Sequence, residues 1–124
     1  MRKLKLPGRD VAKPRLDEHD MALIRKRGIS GVKRDARDMV EAKLREMHEK
    51  DGPRVPPRGN PIYKAMHACN AESRKKLSRA HRIPAGKDLS DGQVDSVVNM
   101  LTRWVAREYN FYKEEEKQQN LHSY

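Results

Sequence analysis

The sequence predicts an all-α protein, a small bundle of four to five helices with a flexible basic N-terminal tail and a polar C-terminal one. Three observations carry that prediction. Apolar residues recur at helical spacing in two long stretches. Residues suited to cap helices stand where those stretches begin. No stretch alternates apolar and polar residues with the period of a half-buried strand. A chain of 124 residues suits one domain.

Residues 1–15 are polar and basic, broken by Pro7, Gly8 and Pro14, and read as a flexible tail. The helical domain is expected over residues 16–112. Asp17 is a good N-cap with Asp20 three residues on, and Leu16 is placed to staple onto Met21. Gly28 ends this first helix, with Arg25, Lys26 and Arg27 in its last turn, where cations suit the helix dipole. Ser30 is expected to cap a second helix reaching about Lys50, with Val32, Ala36, Met39, Val40, Leu44 and Met47 on one face. Glu41 with Arg45, and Glu46 with Lys50, are favourable pairs four apart. Asp51-Gly52-Pro53 stops the helix, and the proline-rich residues 53–59 form an extended connection.

Asn60 caps a third helix with Pro61 in its first turn, running to Cys69. Asn70 is expected to cap a fourth, ending near His81. Residues 83–86, Ile-Pro-Ala-Gly, break the chain. Ser90 and Gln93 then have capping-box spacing. The final helix carries a continuous stripe of Val94, Val97, Val98, Leu101, Trp104, Val105, Tyr109 and Tyr112. It is expected to fray past Lys113, so that residues 113–124 are a helix end and polar tail.

Composition narrows the function classes. Hydrophobic residues make up 35% and charged residues 37%, so the core is modest and most of the chain faces water. The single cysteine, Cys69, excludes an intrachain disulfide and an all-thiolate metal site, and suits a cytoplasmic setting. No apolar run approaches the roughly 20 residues of a membrane span, and the basic N-terminus lacks the apolar stretch of a signal peptide.

The net charge of +10 is unevenly spread. Residues 53–87 hold nine Lys/Arg against one acid, Glu72, whereas residues 88–124 hold four against seven. A concentration of positive charge with so little to quench it attracts polyanions. Within it, Lys75, Arg79 and Arg82 share a helical face with Arg74 beside them, and Ser73, Leu77 and Ala80 would face a core. Arg74 and Lys75 stand near a helix N-terminus, where the dipole disfavours cations, so helix stability alone does not explain them. Phosphate contact would explain them, and the alternatives are a solvated face or a face paired with the acidic last helix.

The order Arg58-Gly59-Asn60-Pro61-Ile62-Tyr63, Ala65-Met66-His67-Ala68, His81-Arg82-Ile83-Pro84-Ala85-Gly86 and Arg103-Trp104-Val105 resembles a bacterial family catalogued as domain of unknown function 4186. The resemblance spans roughly residues 16–107 without gaps and implies a fold more than an activity. The family pattern has a His before the Pro, a second His, a Cys-Cys-x-x-Cys cluster and a further His, which implies a transition metal such as zinc. This chain has Asn60 at the first position, keeps His67 and His81, and has Glu72, Ser73 and Lys76 where the three cysteines would stand. With all three thiolates gone, no metal and no other cofactor is expected.

The expected function is therefore a non-enzymatic nucleic-acid binder, of DNA or RNA. Its phosphate contacts would come from Arg54, Arg58, Lys64, Arg74, Lys75, Lys76, Arg79, Arg82 and Lys87. No catalytic residue is expected, because Cys69 has no neighbouring acid to orient a base and no glycine-rich phosphate loop is present. Base stacking has one candidate in the basic segment, Tyr63, and the aromatics around Trp104 suit core packing. Two other readings exist. One is an interaction or inhibitor module, such as a phage or mobile-element accessory protein, docking on an acidic protein surface. The other is a metal-dependent nuclease using His67, Glu72 and His81.

Overall fold

The protein is described by a computed structural model over residues 2–9, 14–48 and 52–122, with side chains to residue 119. Four helices follow one another: α1 (Glu18–Lys43), α2 (Pro61–Ala68), α3 (Arg74–His81) and α4 (Asp91–His122). No strand occurs among the described residues. α1 and α2 lie against α4 and against each other, while α3 stands apart from this three-helix packing.

α4 forms where its caps and stripe predict. Ser90 N–H donates to Gln93 Oε1 and Gln93 N–H to Ser90 Oγ, satisfying two donors at the helix start. Val94, Val97, Val98, Leu101, Trp104 and Val105 are buried against α1 residues Met21, Ile24, Val32, Ala36 and Val40 and α2 residues Ile62, Ala65 and Met66 in one core. Each Val, Leu, Ile or Met side chain among them contributes about 1.5–3 kcal/mol by leaving water. Tyr109 and Tyr112 pack at its margin. The helix continues to His122 instead of fraying at Lys113. Charge, not apolar burial, engages this last part: Glu115 meets Arg15 at 2.9 Å and Glu116 meets Arg25 at 3.7 Å.

α1 begins with the expected reciprocal cap, in which Asp20 N–H donates to Asp17 and Asp17 N–H to Asp20. The two expected helices run on as one, kinked at Gly28, whose φ of 69° and ψ of 166° interrupt the helical geometry. Ser30 lies past the kink inside the helix and does not cap it. Such a positive φ is strained for any residue with a Cβ. The helix ends at Lys43, not near Lys50, which itself lies outside the described residues, as do Glu49 and Asp51. Tertiary hydrogen bonds divert the backbone there. Leu44 and Arg45 carbonyls accept from the Arg74 guanidinium, Arg45 also accepts from Leu89 N–H, and Met47 N–H donates to Asp88. Met47 is accordingly exposed, and the Glu41–Arg45 pair forms at 2.8 Å.

Asn60 caps α2 by accepting from Tyr63 N–H. Asn70, expected to start the next helix, instead closes this one. Its φ is 54°, and Ala71 N–H donates to Met66 and Asn70 N–H to His67, the left-handed C-terminal arrangement that asparagine tolerates. Ser73 caps α3, accepting from Lys76 N–H at 3.1 Å.

Residues 2–9, expected to be flexible, lie extended along α4. Leu4 is buried, Arg103 donates to Leu4 O, Arg107 to Pro7 O, and Arg9 grips Glu108 with two nitrogens at 2.9–3.1 Å.

Two measurements test this fold. Arg74→Ala should lower the free energy of unfolding in urea by about 2–4 kcal/mol, because it removes charge-assisted bonds and leaves buried carbonyls unpaired. A loss within experimental error would show that α3 is held otherwise. The Asp20 backbone N–H, chiefly, holds the Asp17 carboxyl below its ordinary value of 3.8, with Lys64 adding to the effect. A depressed folded value stabilises the native state above pH 3.8 and is lost as pH falls through it. Asp17→Asn keeps the cap oxygen without the charge, so its stability should vary less with pH between 5 and 2 than that of the wild type.

Candidate functional site

α3 is short, and its two sides have opposite character. Leu77 and Arg74 point inward, both buried. Lys75, Lys76, Arg79 and Ala80 form the exposed side, so Ala80 does not face the core as expected. Arg82 follows in the left-handed conformation at the C-cap and is also exposed.

Of the nine cations expected to meet phosphates, seven are exposed: Arg54, Arg58, Lys75, Lys76, Arg79, Arg82 and Lys87. Lys64 and Arg74 are not available, which corrects the expectation for both. Lys64 is buried, its ammonium 2.5 Å from Asp20, 3.2 Å from Asp17 and 2.8 Å from the Arg15 carbonyl. Its charge is neutralised inside the protein, the usual condition for a lysine to be buried. The Arg74 guanidinium donates to the carbonyls of Leu44, Arg45, Pro84 and Lys87 at 2.7–3.3 Å. Burial pushes its pKa down. Its place near a helix N-terminus thus has a tertiary cause.

The acids of α4 and the residues before it face elsewhere. Asp91 pairs with Arg45, Asp95 with Arg37, Glu108 with Arg9 and Arg107, Glu115 with Arg15 and Glu116 with Arg25. Among the described residues, the seven exposed cations make one ion pair within 4.0 Å, that of Lys76 with Glu72.

Two concavities flank α3. At its start, the 52–57 connection and α2 enclose a cleft of about 420 Å³, lined by Arg54, Val55, Pro57, His67, Glu72 and Ser73, among others. Gly52 forms part of its rim with a φ of 70°, and a Cβ there would fall 2.7 Å from the His48 ring. At its end, Arg2 from the N-terminal segment and Arg82 share a hollow of about 270 Å³ with Ser90 and Gln93. The sequence offers no signal for either meeting, because both join segments far apart in the chain.

The residues at the implied metal positions do not fit a transition metal. His67 Nε2 lies 2.7 Å from the Val55 carbonyl and His81 Nε2 lies 2.7 Å from the Cys69 carbonyl. A carbonyl only accepts, so each Nε2 carries hydrogen and leaves Nδ1 as the one ring nitrogen with a lone pair for a metal. Asn60 and Ser73 are spent on caps. The Lys76 ammonium lies 4.0 Å from Glu72 Oε1 and supplies positive charge where a thiolate would stand. Among the described residues, no three His, Cys, Asp or Glu side chains converge to hold a metal ion.

The fold defines a small all-α protein whose segment 53–87 exposes seven cations, one of them ion-paired among the described residues. The chain belongs to the family described as domain of unknown function DUF4186, whose model matches residues 7–106. No solved structure matches it. No helix among the described residues is long and apolar enough to cross a membrane.

The donor set makes a direct prediction. Protein equilibrated with zinc and then desalted should carry far less than stoichiometric metal by elemental analysis, and one zinc per chain would show that His67 and His81 ligate through Nδ1 without the three thiolates.

Proposed function

We propose that this protein is a non-enzymatic nucleic-acid binder that grips phosphates through the outer side of α3 and the neighbouring connections. The single observation that carries the reading is the exposed arc of Lys75, Lys76 and Arg79, continued by Arg82, with the acids of α4 paired to other arginines or, for Glu114, to Lys117. Unquenched cations on a rigid element meet the negative charge of a phosphate backbone and release its counterions. Arg54, Arg58 and Lys87 extend this field on the connections before α2 and α4. Lys3 and Lys5 are exposed on the N-terminal segment and add to it. Contacts of this kind position a strand without reading its sequence.

The test is affinity for DNA and RNA oligonucleotides across a salt series. Binding should fall steeply as salt rises. The triple variant Lys75→Ala, Arg79→Ala, Arg82→Ala should weaken it across sequences alike and reduce the salt slope by about 2 on single strands. No binding at low salt, or a flat salt response, would reject the reading. A stable complex with an acidic protein that persists after nuclease treatment would favour docking on protein instead.

A further inference from the structure

Glu72 is the one acid among residues 53–87, and its carboxylate is poorly served. Its Oε2 is buried and has no hydrogen-bond partner among the described residues. Its Oε1 has only His67 Nδ1 at 3.9 Å and Lys76 Nζ at 4.0 Å, both too far for a hydrogen bond. A buried carboxylate oxygen without a partner is costly and asks for an explanation. Glu72 also lines the 420 Å³ cleft, whose volume lies in the range of small-ligand sites. The rest of that lining is mixed: Val55 and Pro57 are apolar, Ser73 offers a hydroxyl, and Arg54 a cation. The His67 imidazole completes one wall, held by its bond to the Val55 carbonyl. Lys75, Lys76 and Arg79 are exposed on the helix that starts at this cleft.

We propose that the cleft between the 52–57 connection and the start of α3 receives an unpaired guanine base of a single-stranded nucleic acid, whose Watson–Crick edge donates to the Glu72 carboxylate. This rests on the phosphate-binding reading above and adds a base preference to it. Guanine alone among the common bases presents two adjacent donors on that edge, N1–H and the exocyclic amino group, which match the two oxygens of a carboxylate once the Glu72 side chain turns its buried, unbonded Oε2 toward the cleft. Adenine and cytosine each set an acceptor beside their amino group, and uracil and thymine flank one N–H with two carbonyls. An acceptor facing a carboxylate is repelled, so the discrimination comes as much from rejection as from attraction. Pro57 and Val55 supply apolar surface for the base, and the His67 ring is of the kind on which unstacked bases rest. The exposed lysines and Arg79 then hold the flanking phosphates, so backbone grip and base choice come from different residues.

The experiment measures fluorescence anisotropy of the whole protein with single-stranded nine-nucleotide thymidine probes. The probes carry at their centre a guanine, a hypoxanthine, an adenine or a further thymine. The guanine probe should bind about tenfold more tightly than the thymine probe, the scale of one well-matched bidentate base contact. Hypoxanthine, which lacks only the exocyclic amino group, should fall between guanine and adenine. Glu72→Gln keeps the shape but replaces one acceptor by a donor. It should erase the guanine preference without weakening binding to the all-thymine probe. The probe series on the wild-type protein stands by itself if that variant fails to fold. Equal affinity for all four probes would overturn the guanine site while leaving the phosphate-binding reading intact. A guanine preference that persists in a folded Glu72→Gln protein would overturn the role of the carboxylate. Absence of binding to every probe at low salt would overturn both proposals together.

Discussion

The guanidinium of Arg74 joins three segments of the chain at one place. Through one side chain, the end of α1, the 83–90 connection and the start of α3 share hydrogen bonds to the carbonyls of Leu44, Arg45, Pro84 and Lys87. Arginine suits this place because its planar donors reach several acceptors at once while its charge remains compensated by carbonyl dipoles. α3 does not pack as a helix against the others. It is fastened by Arg74, by Leu77 in the core and by the His81 bond to the Cys69 carbonyl. The orientation of the basic side therefore follows from which residues of α3 turn inward. A helix with Arg74 and Leu77 inside has no choice but to display Lys75, Lys76 and Arg79.

Pairing of charges decides where the field of the protein is left open. Seven acids lie after residue 87; Asp91, Asp95, Glu108, Glu115 and Glu116 pair with arginines outside residues 53–87, Glu114 pairs with Lys117, and Asp88 accepts from Met47 N–H. Exposed pairs such as Arg15 with Glu115 add little stability, on the order of 0–1 kcal/mol each. Their larger consequence is electrostatic. By pairing these acids with other cations, they leave most exposed cations of residues 53–87 without an ion-pair partner among the described residues. The extended residues 2–9 take part, since Arg9 meets Glu108 and stacks 4.0 Å over Phe111.

At the positions where the resemblance implies a cysteine cluster, this chain carries Glu72, Ser73 and Lys76. The substituted positions have not become inert. Ser73 caps α3, Lys76 joins its exposed basic side, and Glu72 lies in a cleft with an unsatisfied oxygen. Both histidines that match the pattern hold backbone carbonyls across chain segments. Those bonds fix the 53–59 connection and the end of α3, a job that a shared metal ion would do by ligation.

The sequence by itself determined the helical class, the apolar face of α4, the caps at Asp17, Asn60 and Ser90, the interruption at Gly28 and the segment that carries the excess charge. These follow from local rules: periodicity, capping geometry and the backbone freedom of particular residues. Tertiary structure decided the rest. α1 stops short at Lys43 because distant donors and acceptors compete for its last backbone groups, and local periodicity has no view of Arg74 or Asp88. Asn70 ends a helix instead of starting one because Ala71 and Met66 close a turn around it. Spacing alone cannot separate a cation that faces water from one that faces carbonyls, so Lys64 and Arg74 are indistinguishable from Lys75 and Arg79 until the chain is folded. The cleft beside Glu72 is likewise a product of packing, because its walls come from three separate segments that the linear order keeps apart.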